Sequence, residues 1–269
     1  MSSSPDAVAR RTVDELTIED EKSFRHVALY GDLKEVLSRA KYPFRVLGGA
    51  LEGRADRALL LNLTFWGPDA AGDVLDTATL PADVVAHAAW HHLAVQALPG
   101  APGEPPSADS LFLGEAIASA FDVYLVGRLL GHAPSSSFLE SQVPAMAETT
   151  ESAGLDEDGF EAMLEGIATD PERAFADLRE LLFDATSALF ACRTVEDASR
   201  ALALHDGHRF APLIHRYELS NWVLYARAYG SAQPDERARA VDAKLRTEKL
   251  PLDWLTREWV DPALARPRA

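Results

Sequence analysis

The chain has 269 residues, 47% hydrophobic and 25% charged, a balance that suits one globular domain or one domain with a helical extension. Its formal net charge is −16, with no Lys/Arg cluster as a local exception, which argues against a nucleic-acid partner because such a chain repels phosphate backbones. A single cysteine, Cys192, rules out an intramolecular disulfide and reads as a buried, inert thiol at a helix end.

In chain order, the N-terminal MSSSPDAVAR is small and polar, and residues 1–20 are expected to be flexible. It has no apolar stretch of the signal-peptide kind, so the expected location is cytoplasmic. Charged or small residues interrupt every apolar run before roughly 18 positions, so no membrane span is expected. A first helix is predicted from about Glu21 to Arg39, ending before Tyr42-Pro43. Two strands follow, from about Phe44 to Glu52 and from Ala58 to Trp66. Both stretches are rich in β-compatible residues, and Gly53 to Asp56 separates them.

The remainder reads as helix. Pro81 to Leu98 opens with proline and Asp83 in its first turn and stops at Pro99-Gly100. After a Pro/Gly loop, Ser110 to Leu130 is the second central helix, closed by Gly131. Further helices are predicted at about 135–152, 156–168, 171–191, 194–205, 211–229, 234–248 and 251–259. The aromatic-rich Tyr217–Tyr229 stretch and Trp254 and Trp259 are expected to pack against the body.

Two helices depart from the usual amphipathic pattern. Between Pro81 and Leu98 the only charged residue is Asp83; between Ser110 and Leu130 there are Glu115, Asp122 and Arg128. Helices apolar nearly all round belong in the interior. His87 and His91 stand four apart and share a face, as do Glu115, Ser119 and Asp122. A buried carboxylate is costly unless paired or bound to a cation. Two imidazoles, one carboxylate and an open fourth position form a common catalytic zinc arrangement. The alternative is a metal-free network of salt bridges and hydrogen bonds inside a helical interaction protein.

The stretch Ala86-His87-Ala88-Ala89-Trp90-His91-His92-Leu93-Ala94 resembles the HExxH helix of zincin metalloproteases. Gly114-Glu115-Ala116 through Asp122 is similar to the helix that supplies the third, glutamate ligand in the gluzincin branch. The likeness covers roughly Phe44 to Leu130 and includes the strand pair before the first motif. It implies His87, His91 and Glu115 as ligands to Zn2+, with Ser119 or Asp122 steadying an imidazole, and it makes His208, His215 and Tyr217 candidates to enter the cleft.

Where the family has its general-base glutamate, this chain has Ala88, which cannot accept a proton. Three explanations stand: an inactive homologue that keeps the metal, a substitute base such as Asp83, or an engineered alanine. Replacing Ala88 with Glu tests for an active cleft: if peptidase activity appears, only the base was missing.

The expected architecture is α+β, mainly α. A small N-terminal sheet precedes a zincin-like two-helix metal-site domain over 21–152, and a helical C-terminal subdomain covers 153–269. The expected function is an inactive or repurposed metallopeptidase homologue whose partner is a peptide or protein. The Ala/Arg/Asp-rich usage suggests a high-GC bacterial source.

Overall fold

A computed structural model describes residues 8–64, 73–100, 104–217 and 219–266. The architecture is α+β and mainly helical, with a small N-terminal sheet region and a helical C-terminal half. Strands are β1 (Val8–Thr12), β2 (Thr17–Glu19), β3 (Pro43–Leu47), β4 (Val74–Leu75) and β5 (Thr79–Pro81). β3 lies between β1, antiparallel to it, and β4, parallel to it; β2 and β5 form a separate parallel pair.

The helices are α1 (Ala28–Arg39), α2 (Ala55–Thr64), α3 (Ala82–Ala97), α4 (Ala108–Leu130), α5 (Ser137–Ser152), α6 (Glu157–Thr169), α7 (Pro171–Ala191), α8 (Val195–Ala203), α9 (Leu219–Tyr229), α10 (Glu236–Thr247), α11 (Pro251–Leu255) and α12 (Asp261–Ala265). A π turn over Thr256–Val260 joins the last two, and a 3-10 stretch over Ala211–Tyr217 precedes α9.

Several expectations change. Residues 8–19 of the supposedly flexible N-terminus are ordered, because β1 finds its partner in β3 with Val8 opposite Leu47 and Thr12 opposite Pro43. The first strand ends at Leu47, where a 3-10 turn over Gly49–Leu51 takes over, with Gly49 at φ 61°. The second predicted strand is helix α2, with Asp56 in its first turn and a Leu/Ala-rich body that favours helix. The rest of that prediction, Phe65 and Trp66, falls outside the described residues. Asn62 clasps α2 to β4 in both directions: its Nδ2 donates to the Val74 carbonyl at 2.9 Å and its Oδ1 accepts the Val74 N–H at 2.7 Å.

α4 is the axle of the molecule, with α3 packed along one flank and α7 along another, and α6 and α9 also against it. Ser107 caps its start by accepting the Ser110 N–H at 3.0 Å. By length and composition α4 could cross a membrane, contrary to the sequence reading. Its most apolar window has mean hydropathy 1.4, but 83% of that window is covered by the rest of the protein, as in a core helix. One continuous core runs from Val13 to Ala263 and includes Trp259; Trp222 and Trp254 pack against it. Residues on both sides of position 152 therefore share it.

Gly127 shows how tightly α4 meets its neighbours. A methyl group there would lie 2.5 Å from the Ile167 carbonyl oxygen and 3.0 Å from Pro171 Cγ. Gly127→Ala is therefore expected to destabilise the fold by about 1–3 kcal/mol, despite alanine's higher helix propensity. Chemical denaturation of the two proteins checks this. At the far side, Arg179 is buried and donates from Nη1 to Asp242 Oδ1 at 2.5 Å, tying α7 to α10. Arg246 joins the same carboxylate from Nε at 2.8 Å and reaches Asp184 and Glu180 on α7.

Candidate metal centre

Small residues allow α3 and α4 to approach closely. Ala86, Ala88, Ala89 and Ala94 on α3 are buried, and a methyl on Gly114 of α4 would meet Ala94 Cβ at 3.2 Å. Trp90 and Phe121 lock the pair edge to face, with centroids 5.5 Å apart. Glu115 follows Gly114 directly in α4.

There the structure brings His87, His91 and Glu115 together. His91 Nε2 lies 3.1 Å from His87 Nε2 and 3.5 Å from Glu115 Oε2, and the three ligand-type atoms all fall within 4.8 Å of one another. Tetrahedral zinc with bonds of roughly 2.0–2.1 Å holds its ligand atoms roughly 3.4 Å apart. The two contacts of His91 bracket that spacing. The group could hold a metal ion.

The side chains are not sealed in the core. His87, His91 and Glu115 are each about a third exposed, at 32%, 33% and 31%, so the site opens to solvent along one edge. Asp122 stands behind it, its Oδ2 3.0 Å from His87 Nδ1. Its other oxygen, Oδ1, is buried with no hydrogen-bond partner among the described residues. An imidazole that donates from Nδ1 to a carboxylate presents Nε2 to a metal, the usual support for a ligating histidine.

Electrostatics give the two imidazoles different states. Burial pushes the His87 imidazolium down, but the Asp122 carboxylate and, less strongly, Glu115 and Asp73 override it and raise its pKa to about 9. His91 moves the opposite way. Burial lowers it, helped by the positive His87, against the pull of Glu115. A consistent proton arrangement follows: His87 donates from Nδ1 to Asp122 and from Nε2 to the bare Nε2 of His91. That shared proton sits between the two nitrogens a metal would use. Asp122→Asn removes the negative charge that holds it. The variant is expected to lower the His87 pKa, read by NMR titration, and to weaken metal binding by about 10–100-fold at pH 9 and above, where no proton competes, read by competition with a chromogenic chelator.

The other residues singled out from sequence fall as follows. Ser119 is buried on α4 and makes no hydrogen bond to either histidine or to Asp122 among the described residues. His208 lies in the loop after α8, where its Nδ1 accepts the Phe210 N–H at 3.1 Å and its charged neighbours are Asp177, Arg209, His205 and Glu180. The side chains of His215 and Tyr217 lie outside the described residues. His92, beside the pair, turns away from it. It meets Gln96 at 2.5 Å and packs edge to face on Tyr42, and burial and Arg266 lower its pKa.

Ala88 is 2% exposed and part of the core, so the position that carries the base in the resembled motif points inward. Asp83, one turn before His87, carries a carboxyl raised to about 6 by burial and by Asp122. Two groups escaped the sequence reading. Asp73, from the segment before β4, acts electrostatically on both histidines, and Tyr225 on α9 lies close enough to Glu115 for that carboxylate to raise its pKa, after burial. Neither stands at a motif spacing from His87 or Glu115, so only the folded chain shows them.

No protein-family model matches the chain, and neither a curated protein nor a solved structure matches it.

Proposed function

We propose that this chain is a metal-binding protein that holds zinc on His87, His91 and Glu115, with a metallopeptidase-like ligand set and no peptidase base. The carrying observation is the convergence of three ligand-type atoms within 4.8 Å at one solvent-open edge of an apolar helix pair. Two nitrogens and one oxygen suit zinc, and leave a fourth position for water or an incoming group. Asp122 would fix His87 through Nδ1, and the unpartnered Asp122 Oδ1 fits a carboxylate that faces concentrated positive charge when the site is filled.

Bound zinc would acidify its water toward neutrality. This chain then lacks the group that takes the proton in the resembled enzymes, since Ala88 is apolar and faces the core. The partner that suits such a site is a peptide or protein that donates a ligand to the open position and is held rather than cut.

The test is elemental analysis of tag-free protein purified without added metal. About one equivalent of zinc is expected, falling below about a tenth in His91→Ala and Glu115→Ala. Iron at the same stoichiometry would replace the zinc assignment, because two histidines and a carboxylate also suit ferrous iron. One observation favours a second, metal-free reading: His87 already meets Asp122 and His91 through its own two ring N–H groups. That reading expects no metal at any loading and a melting temperature indifferent to chelators.

A further inference from the structure

A cavity of about 640 Å³ opens between the start of α4, the end of α7, the end of α9 and the loop leading to α10. Its wall is unusual for a chain of net charge −16. Three guanidinium groups, Arg193, Arg227 and Arg239, line it against one carboxylate, Asp109.

Their hydrogen bonding leaves donors to spare. Arg239 spends Nε on Asp109 at 2.8 Å. Arg227 spends one terminal nitrogen, Nη2, on the carbonyls of Leu189, Phe190 and Cys192 at the end of α7, at 2.8–3.3 Å. Arg193 has no ion-pair partner among the described residues. A guanidinium carries five N–H donors in a planar fork. Between them the three side chains therefore present an uncommitted set of donors matched to a planar or tetrahedral anion.

A further feature points to a ligand. Phe112 and Phe190, packed edge to face at 5.6 Å, line the cavity and supply an apolar surface. Ligand sites commonly combine an apolar wall with a few convergent polar groups.

We propose that this cavity binds a small organic anion, its carboxylate or phosphate group on the free donors of Arg193, Arg227 and Arg239 and its apolar part on Phe112 and Phe190. No ion is needed, so the inference stands apart from the metal reading.

Cys192, expected from the sequence to be a buried, inert thiol, is instead half-buried and lines the same cavity; because it is the only cysteine in the chain, its alkylation by iodoacetamide is a clean reporter of occupancy. The 269-residue chain, metal-free and dialysed free of chelator, is alkylated with benzoate, phenyl phosphate or neutral benzyl alcohol at about 10 mM, above the millimolar range of weak specific ligands. Saturable protection by benzoate or phenyl phosphate, and none by benzyl alcohol, is expected; which anion protects better names the head group. Arg193→Gln, at an exposed and unpaired position, is expected to keep the fold by circular dichroism and weaken protection about tenfold. An unchanged alkylation rate with both anions, equal protection by benzyl alcohol, or full protection in Arg193→Gln would overturn the proposal.

Discussion

Stripping zinc from the loaded protein is expected to lower its melting temperature by roughly 8–16 °C. A ligand held at about a thousand times its dissociation constant adds about 4 kcal/mol. In a chain of this size each kcal/mol moves the midpoint by roughly 2–4 °C. Acidity should tune the effect in a defined direction. In the metal-free fold His87 is raised from an ordinary 6.5 to about 9. The ion pair with Asp122 therefore contributes its full stabilisation below pH 6.5, and loses it as pH rises through 9. Zinc needs the Nε2 position that the shared proton occupies, so each ion bound near neutral pH expels about one proton. Affinity should climb about tenfold per pH unit up to about 9 and then level off. The loss on chelation is thus smallest in acid and largest in mild alkali. Calorimetric scans with and without chelator at several pH values check both the size and the slope. A midpoint that ignores chelator throughout would favour the metal-free network.

Ala88→Glu is expected to cost the fold about 3–5 kcal/mol and to yield no peptidase. The side chain at 88 is buried within the apolar α3–α4 core. An unpaired charge forced into such a place costs about that much. Domains hold only about 5–15 kcal/mol in total. The expected readouts are a melting temperature lower by roughly 6–20 °C and unchanged, background hydrolysis of a quenched peptide. Ala88→Ser, small enough to fit, should lose far less. A well-folded glutamate variant that cleaves peptide would falsify the inward placement and revive the zincin cleft.

Much of the site was legible because its signals are local. The four-residue step from His87 to His91 is helix geometry, and nearly uncharged flanks marked both helices as interior. Glu115 and Asp122 followed from the same arithmetic on α4, and the structure sets both against the histidines. The facing of position 88 was not legible: a period of 3.6 assigns residues to faces, but which face meets the core depends on the partner helix, here set by Gly114 against Ala94. Fold errors share that origin. β1 exists because β3 lies beside it some 35 positions later, a pairing no window of sequence contains. The leucines of α2 fit strand or helix equally well by composition, and contact with β4 through Asn62 accompanies the helical outcome. Helix ends were read best where punctuation is chemical, as at Asp170-Pro171, where the aspartate accepts the Arg173 N–H at 3.0 Å and proline opens α7.

The Trp90–Phe121 lock and the Gly114–Ala94 crossing involve none of the four polar side chains beside them. On the proposed metal reading the scaffold would stand before any ion arrived, unlike a zinc finger, whose chain stays unfolded until its metal comes. Loading would then be a late event in the life of the protein, a matter of exchanging one proton for one cation at a finished surface. Vacant and filled forms would share one backbone, and the supply of ion around the protein, rather than its biosynthesis, would decide which of them is present.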